Sequence, residues 1–402
     1  MPSIHDCRRL FPSLSESLVF LDSAATTQKP QMVIDALIDA YRDGIANPGR
    51  GVYPLAERVT SDVHAARVTV AEFIGAKTHE IVFTKGTTEA INLVARTLGE
   101  TLQAGDRVAV TMMEHHSNLV PWLQLRERRG IEIDWIPVNK DGQTDMNVLL
   151  EMLKKGKTKL LAITGLSNVL GIAPDLSEII RRAHECGALV LVDAAQMVAH
   201  LPIDVRALDA DFLAFSGHKI YGPMGVGVLY GKELLLEKMP TFLGGGDMVQ
   251  SVTTKGYTSA ELPRKFEAGT ISAVDVIGLG VAISWLDSIG MDAVMKHDRE
   301  LMSHAMKRLK EIDGLQILGS QKPDERTGVI SFTVNNVHPH DLTHLLGERG
   351  ICLRAGHHCA EPLHNFLKIN ASARMSFGVY NTKEDIDTCA AAIAEATKFL
   401  QK

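Results

Sequence analysis

Cysteine, positive charge and long apolar runs are all scarce in this sequence, and each scarcity excludes a class of protein. The five cysteines among 402 residues are scattered and odd in number, which argues against a disulfide framework and favours a reducing compartment. The formal net charge of -6 leaves no basic footprint, so a nucleic acid is a poor choice of partner.

Neither a membrane span nor a secretory signal is visible in the sequence. The longest apolar run, VIGLGVAISWL at 276–286, falls short of the roughly 20 residues that cross a bilayer. The N-terminal stretch MPSIHDCRRLFPSL contains Asp6, Arg8 and Arg9 and no apolar run, unlike a signal peptide. We therefore expect a cytoplasmic protein that does not bind membranes.

The chain has an ordinary globular composition, 45% hydrophobic and 22% charged, in which short apolar strands alternate with amphipathic helices. This alternation predicts an α/β fold whose mostly parallel sheet is covered by helices on both faces. From about Gly290 the pattern indicates a smaller α+β unit. We place a large domain at 12–285 and a small C-terminal domain at 286–402, with residues 1–11 packing against the small domain.

Ligands of such sheets lie beyond the carboxyl ends of the strands, so the residues that follow each strand carry the most information. After the strand EIVFT, Gly86, Thr87 and Thr88 begin a helix, where free backbone N–H groups and hydroxyls suit a phosphate. The simpler alternative is ordinary N-capping by threonine.

Two further strand ends carry charged groups that are costly to bury. Asp193 ends the strand ALVLVD and, with Gln196 near it, suits a protonated ring nitrogen, an arginine or a metal; alternatively it caps a helix. Lys219 follows the strand DFLAF, where partial burial would lower its pKa towards nucleophilic use; alternatively it reaches solvent. Ser216 and His218 beside it could hold an anion.

His115 follows the strand RVAVT, where an imidazole can stack on a planar ligand and move protons, although a loop histidine is more often structural. A phosphate site, an acid for a ring nitrogen, a Schiff-base amine and a stacking imidazole together suit pyridoxal 5'-phosphate (PLP). Asp193 and Lys219 are 26 residues apart, enough for one strand–crossover–strand unit. Neighbouring strand ends would then bracket this cofactor.

The segment RAGHHCAEPLH at 354–364 gathers a cysteine, three histidines, an arginine and a glutamate. It could be a metal site, a nucleophile with its electrostatic surroundings, or a polar loop with a buried thiol. His357, His358 and Cys359 are contiguous, so their side chains diverge in an extended segment, and the usual spacing of zinc ligands is absent. Cys352, which faces an apolar run, suits the buried thiol better.

Nine motifs identify a family resemblance that runs from about residue 8 to the C-terminus. They are LDSAATTQKP, GTTEAINLVA, EHHSNLVPW, SNVLG, VDAAQ, FSGHKIYGPMGVGVLYG, FEAGT, LRAGHHCAEPL and RMSFGVYNT. The sequence resembles the PLP-dependent cysteine desulfurases, which have the fold type I of the class-V aminotransferase superfamily. The order and spacing of the motifs fit the SUF-type branch, in which the spacer between the cysteine and the substrate arginine is short.

The resemblance implies a role for each candidate residue. Lys219 would be the Schiff-base lysine, Asp193 the partner of the pyridine nitrogen, and His115 the ring that stacks on the cofactor. The other implied contacts are Asn168 and Gln196 to the ring oxygens, Thr88, Ser216 and His218 to the phosphate, Thr270 to the neighbour's phosphate in a homodimer, and Arg374 to the substrate carboxylate.

Cys359 would be the nucleophile of the reaction that the resemblance implies. L-cysteine displaces Lys219 from the cofactor, the freed amine removes the Cα proton, and the Cys359 thiolate attacks the substrate sulfur. A persulfide remains on the enzyme and alanine leaves. Arg354, His357 and His358 would raise the thiolate fraction as cations, and Arg354 would also contact the substrate.

A persulfide on a short loop implies that a sulfur-acceptor protein docks near residues 355–365, for iron–sulfur cluster assembly by family expectation. Selenocysteine lyase activity would use the same PLP site, and a zinc-binding or scaffold protein is the remote non-enzymatic alternative.

Three positions depart from the family pattern: Arg50 lacks the histidine that often precedes it, Gly165 stands where many members carry a histidine, and Ile271 stands where a proline usually follows the threonine.

Overall fold

The computed structural model describes residues 4–49 and 51–401, so residues 1–3, Arg50 and Lys402 lie outside the described residues. The strands, numbered in chain order, are β1 (Val19–Phe20), β2 (Ile81–Thr84), β3 (Arg107–Thr111), β4 (Glu132–Ile136), β5 (Thr158–Thr164), β6 (Leu189–Asp193), β7 (Phe212–Ser216), β8 (Gly227–Gly231), β9 (Val249–Thr253), β10 (Gly256–Ser259), β11 (Leu315–Ile317), β12 (Val329–Val334), β13 (Ile351–Cys352), β14 (Arg354–Gly356) and β15 (Ser372–Ser376).

The helices alternate with the strands over most of the described chain. They are α1 (Gln31–Arg42), α2 (Pro54–Phe73), α3 (Thr87–Arg96), α4 (Val120–Arg129), α5 (Met146–Lys154), α6 (Leu176–Glu185), α7 (Met197–His200), α8 (Val205–Leu208), α9 (Glu233–Lys238), α10 (Ala273–Ile289), α11 (Met291–Lys310), α12 (Pro339–Gly347), α13 (Glu361–Phe366) and α14 (Lys383–Leu400). Several begin at an aspartate whose carboxylate accepts backbone N–H groups of the first turn, as Asp145 and Asp175 do for α5 and α6.

The large sheet has seven strands in the order β2-β8-β7-β6-β5-β3-β4. The run from β7 to β4 is parallel, whereas β8 lies antiparallel between β2 and β7. Alternate residues of β6 enter different cores, since Val190 and Val192 pack on one face and Leu191 on the other. This double burial explains the nearly continuous apolar strands, and the predicted α/β fold with a mostly parallel sheet is confirmed.

The parallel strands bring the candidate residues to one edge of the sheet. Thr164 at the end of β5 pairs with Asp193 at the end of β6, and Asp193 pairs with Ala214 of β7. The loop that carries His115 leaves β3 at the same edge, and a short 3₁₀ turn at Gly217–Lys219 follows β7. Distant stretches of sequence therefore contribute to one site.

The C-terminal part forms a separate antiparallel sheet in the order β11-β12-β15-β14, covered by α11, α12 and α14. The segment ICLRAG, predicted as one strand, forms two strands in different sheets, since β13 pairs with β1 whereas β14 pairs with β15. Near the N-terminus, Cys7 and Phe11 pack in the same core as Trp285, while Arg8 bonds Asp385 of α14. The described part of the N-terminal segment thus contacts both units, and the domain boundaries stay a prediction.

Within the described ranges, no single helix is long and apolar enough to span a membrane. Helices α10 and α11 meet that requirement only as a pair, by length and composition, and the pair is bent by 75° at its break.

Candidate active site

A cavity of about 420 Å³ opens where the carboxyl ends of β3, β5, β6 and β7 meet β14 and β15. Thr270 instead lines a separate cavity beside Lys85 and Leu243, and its predicted reach into a neighbouring subunit stays a prediction. His357, a predicted cationic neighbour of Cys359, is exposed and does not line the main cavity. The predicted site residues that do line it are Thr87, Thr88, His115, Asn168, Asp193, Gln196, Ser216, His218, Lys219, Arg354, Cys359 and Arg374.

One end of the cavity is the N-terminus of the ten-residue helix α3. The N-cap is Gly86, with φ of +155°, and no side-chain cap bond is present there, so threonine capping does not explain this sequence. Ser216 Oγ accepts the Thr87 N–H at 2.8 Å and lies 2.7 Å from the Thr87 hydroxyl. Thr88 Oγ1 lies 2.7 Å from Ser117 Oγ. The hydroxyls of Thr87, Thr88 and Ser216 thus gather at a helix N-terminus, a setting that suits a phosphate.

His218 extends this end of the cavity. Burial, followed by the positive charges of Lys219 and Lys29, lowers the pKa of His218 to about 4, so the imidazole is neutral at pH 7. Its buried Nδ1 has no hydrogen-bond partner within the described part of the chain. A buried ring nitrogen without a protein partner leaves a polar contact for a ligand.

Asp193 and Lys219 also line the cavity. Asp193 is 3% exposed, and its Oδ1 accepts the Ala195 N–H at 3.0 Å. Helix α7 has Gln196 as its N-cap, so Asp193 is not that cap. Burial raises the pKa of Asp193 and lowers that of Lys219, and their mutual attraction opposes both shifts. Lys219 is therefore closer to a neutral, nucleophilic amine than a surface lysine is.

His115 presents a neutral imidazole to the cavity. Burial, followed by the charge of Lys219, lowers the pKa of His115 to about 3. Its Nδ1 accepts the Ser117 N–H at 3.1 Å, so the proton of the neutral ring is on Nε2. The stacking role predicted for His115 stays a prediction.

Glu114 is a buried acid that the sequence interpretation missed. Its carboxyl group accepts the Thr111 hydroxyl at 2.5 Å, the Thr164 N–H at 3.0 Å and the Asn118 amide at 2.7 Å. Burial raises the pKa of Glu114 to about 8 against these three donors. Glu114 therefore ties the ends of β3 and β5 to the loop that carries His115. Its signal in the sequence was the one used for Asp193, a carboxylate just after an apolar strand.

Asp22 is the second missed residue, and it holds both predicted arginines. Arg374, 2% exposed, donates from Nη2 to Asp22 at 3.0 Å and from Nη1 to the Asn168 carbonyl at 3.2 Å. Arg354 donates from Nε to the other Asp22 oxygen at 3.1 Å. The buried Nε of Arg374 has no hydrogen-bond partner among residues 4–49 and 51–401. That N–H is available to a substrate carboxylate.

Cys359 is exposed and lies on a firmly attached loop. His358 and Cys359 have φ of +52° and +57°, a region that costs non-glycine residues free energy. Three bonds hold the turn: the His116 N–H to the Cys359 carbonyl at 2.7 Å, the Asn168 amide to the His358 carbonyl at 2.7 Å, and the Glu361 N–H to His116 Nε2 at 3.2 Å. The structure thus brings Cys359 and Lys219 to one cavity, as predicted.

The expectation that His358 is a cation beside the thiol is wrong. The residue is 7% exposed, and burial, followed by the charge of Arg374, lowers its pKa to about 2. Its Nε2 is hydrogen-bonded to Ser372 Oγ at 3.0 Å, and His364 binds the same hydroxyl. His358 therefore supports the loop as a neutral ring. No group of three or more His, Cys, Asp or Glu in the described residues is arranged to hold a metal ion.

The presence of glycine at position 165, where many family members carry a histidine, has a steric explanation. A Cβ added there would lie 2.7 Å from Met197 Sδ and 3.3 Å from Val192 Cγ1. No side chain fits between α7 and the end of β6 as they stand. Met197 thus occupies space that a side chain at position 165 would need.

We expect Gly165→His to lower the free energy of unfolding by about 1–3 kcal/mol, because the imidazole must displace Met197. Urea unfolding of the single variants and of Gly165→His combined with Met197→Ala would measure this. The double variant should lose less free energy of unfolding than the sum of the losses of the two single variants, because the shortened residue 197 leaves room for the imidazole. A Gly165→His protein as stable as the parent would contradict the steric account.

The fold and the cavity together define a class of enzyme. A doubly wound domain with a buried lysine, a buried aspartate and a phosphate-like site at its strand ends is the arrangement of a PLP-dependent enzyme. The residues fit that cofactor, since His218 Nδ1 is buried and lacks a partner in the described chain, and since Asp193 is a buried carboxylate that suits a ring nitrogen.

The family model described as aminotransferase class-V matches residues 19–389, and the chain belongs to this family. A probable cysteine desulfurase of Halalkalibacterium halodurans is 46% identical over 98% of both chains, and a cysteine desulfurase of Yersinia pestis is 43% identical over 99% of both. The apo structure of a Thermococcus onnurineus NA1 cysteine desulfurase has a TM-score of 0.96 at 37% identity, and the Escherichia coli cysteine desulfurase CsdA has 0.92 at 40%, each over 99% of both chains. The predicted family, fold class and PLP dependence are confirmed.

Proposed function

We propose that this protein is a cysteine desulfurase that converts L-cysteine to L-alanine and carries the released sulfur as a persulfide on Cys359. The observation that supports it most is the meeting of Lys219 and Cys359 in one cavity, from positions 140 residues apart. An aminotransferase needs the lysine but has no use for an exposed thiol beside it. Sulfur transfer uses both groups.

The phosphate of PLP would bind at the N-terminus of α3, held by Thr87, Thr88, Ser216 and His218. The ring nitrogen would face Asp193. Bound there, PLP supplies an electron sink next to the substrate Cα. The contacts proposed for Asn168 and Gln196 remain compatible with their present bonds, to the His358 and Ala24 carbonyls, because each side-chain amide has further donors and an acceptor.

The chain's own groups then divide the work on the substrate. Arg374 would bind the carboxylate through its unpartnered Nε, with Asp22 fixing the guanidinium plane. The neutral amine of Lys219 would take the Cα proton at Nζ. The Cys359 thiolate would attack the substrate sulfur, so that the S–S bond forms as the Cβ–S bond breaks; the bonding pair would pass to Cβ, which takes up a proton and becomes the methyl group of alanine. His115 Nε2 carries a proton in the same cavity.

Delivery of the sulfur completes the proposal. The bonds from His116 and Asn168 to the Cys359 loop allow little travel, so a sulfur-acceptor protein would have to reach the thiol near residues 355–365. The short spacer to Arg374 favours the SUF-type branch. We further propose a cytoplasmic homodimer in which Thr270 reaches the partner's phosphate, and a supply of sulfur for iron–sulfur cluster assembly.

A selenocysteine lyase is the second candidate, because the same cavity would bind selenocysteine. The exposed thiol favours the desulfurase, since selenium leaves more readily and depends less on Cys359. Relative turnover of the two substrates separates the candidates.

The purified protein loaded with PLP should absorb visible light and release alanine from L-cysteine, with one additional sulfur atom on the peptide that contains Cys359. Alanine assay and peptide mass spectrometry measure these results. Colour without alanine would reject the desulfurase but keep the cofactor. A colourless protein after PLP loading would reject the proposal entirely.

A further inference from the structure

One carbonyl next to the proposed Schiff-base lysine is unusually crowded with donors. The His218 carbonyl accepts the Thr27 N–H at 2.9 Å, the hydroxyls of Thr26 and Thr27 at 3.1 Å each, and Lys29 Nζ at 3.3 Å. A carbonyl oxygen has two lone pairs and usually accepts at most two hydrogen bonds, so four donors are more than it needs. All four come from the segment TTQK at 26–29, about 190 residues away in sequence.

Thr27 also holds the backbone on the far side of Lys219. Its Oγ1 accepts the Tyr221 N–H at 2.8 Å while it donates to the His218 carbonyl. Thr27 is 4% exposed, and its single hydroxyl therefore bridges the peptide groups that flank Lys219 and Ile220. Among the described residues, Thr26 lines the main cavity and Thr27 does not, so Thr27 acts through the backbone.

Tyr221 needs such support, because its φ of +63° is a genuine outlier for a bulky residue. Its ring packs against Trp285 and Phe11, with centroids 5.3 and 6.0 Å away, and its hydroxyl accepts the Val379 N–H at 3.0 Å. Strained backbone persists only where its surroundings over-determine it. The strained residue lies two positions from the amine that performs the chemistry.

Lys29 also forms hydrogen bonds that hold this segment in place. Its Nζ donates to the Thr27 carbonyl at 2.5 Å, and burial lowers the pKa of Lys29 to about 8. Lysine is a costly residue to place there unless its donors are used. The ammonium therefore fixes both Thr27 and the His218 carbonyl.

We infer that the segment Thr26–Lys29 is a clamp for the backbone of Lys219, and that Thr27 is its central positioning residue. The inference rests on the proposed function, in which the Lys219 amine must meet both cofactor and substrate Cα. Small misplacements of a reacting group are expensive in rate. The clamp also accounts for the motif LDSAATTQKP, whose second threonine contacts no ligand surface.

Thr27→Val removes the bridging hydroxyl and nearly preserves shape, whereas Thr27→Ser keeps the hydroxyl. In the cofactor-free protein, the pH midpoint for labelling of Lys219 by an amine-reactive reagent should move upward in Thr27→Val, because a loosened amine reaches water. In the PLP-loaded protein, kcat for L-cysteine should fall about tenfold while KM changes by less than about twofold. Thr27→Ser should stay near the parent in both measurements.

Thr97→Val is the matched control, since Thr97 is a fully buried threonine whose hydroxyl also binds a carbonyl, that of Leu93 at 2.6 Å. It should lower the unfolding temperature without moving the labelling midpoint or kcat. Equal midpoints and equal kcat in Thr27→Val and Thr97→Val would overturn the clamp. A colourless or inactive parent protein would instead reject the proposed function, while the labelling midpoint would still decide whether Thr27 positions the lysine.

Discussion

Lys219→Ala should fold, should show no visible absorbance from lysine-bound cofactor after PLP loading, and should turn over L-cysteine at least about 10³-fold more slowly. In the proposed function, the lysine supplies both the covalent attachment and the base for the Cα proton. Because burial lowers the pKa of Lys219, its amine loses a proton more readily than that of a surface lysine. Absorbance spectra, alanine release and circular dichroism of the variant measure the three results.

Lys265→Met is the control for the loss of any buried lysine. Lys265 is 8% exposed, its Nζ donates to the carbonyls of Leu236 and Glu237, and burial lowers its pKa, as it does for Lys219. Lys265→Met should lose stability yet keep its colour. Persistent lysine-bound colour in Lys219→Ala would place the cofactor attachment elsewhere.

The sequence predicted the site best where a single physical cause, such as a charge at the end of an apolar strand, explains why a residue lies there. Asp193 and Lys219 are charged groups at the ends of apolar strands, and parallel pairing puts such ends at one edge. Because β6 and β7 are neighbours, two residues 26 apart reach the same cavity. The large sheet and the ligand edge were predictable for this reason.

Features that depend on distant pairing were not predictable in the same way. Asp22 binds Arg354 and Arg374 from more than 330 positions away, and no local pattern of charge marks it as their partner. Strand β8, with Gly227 and Gly231 at its ends, lacks the β-branched enrichment that marks a strand, and its antiparallel direction is set by its neighbours.

The sequence led to the wrong charge state for His358. A sequence shows that His358 adjoins Cys359 but not that its ring is buried against Ser372. Burial disfavours the imidazolium, so the protonation state follows from packing, which the sequence does not specify. The ionisable groups that interact electrostatically with Cys359 are therefore Lys219 and Arg374, which line the same cavity, rather than its neighbour in sequence.

Cys359→Ser tests whether the Cys359 thiol is the nucleophile that takes the substrate sulfur. The variant should keep its visible absorbance, because the cofactor contacts proposed for Asp193, Lys219 and the N-terminus of α3 are untouched. Alanine release from L-cysteine should fall about 10²-fold or more, because a serine hydroxyl is a far weaker nucleophile towards sulfur than a thiolate is. Turnover of selenocysteine should fall much less.

Cys352→Ser is the matched control, since Cys352 is a partly buried thiol on β13, only seven positions away, whose pKa is raised by burial. This variant should release alanine at nearly the parental rate, and its persulfide should still form on the peptide that contains Cys359. Undiminished L-cysteine turnover in Cys359→Ser would keep the PLP site and reject the persulfide step. Among the described residues, Cys359 is the one cysteine that lines the cavity, so no other thiol there can replace it.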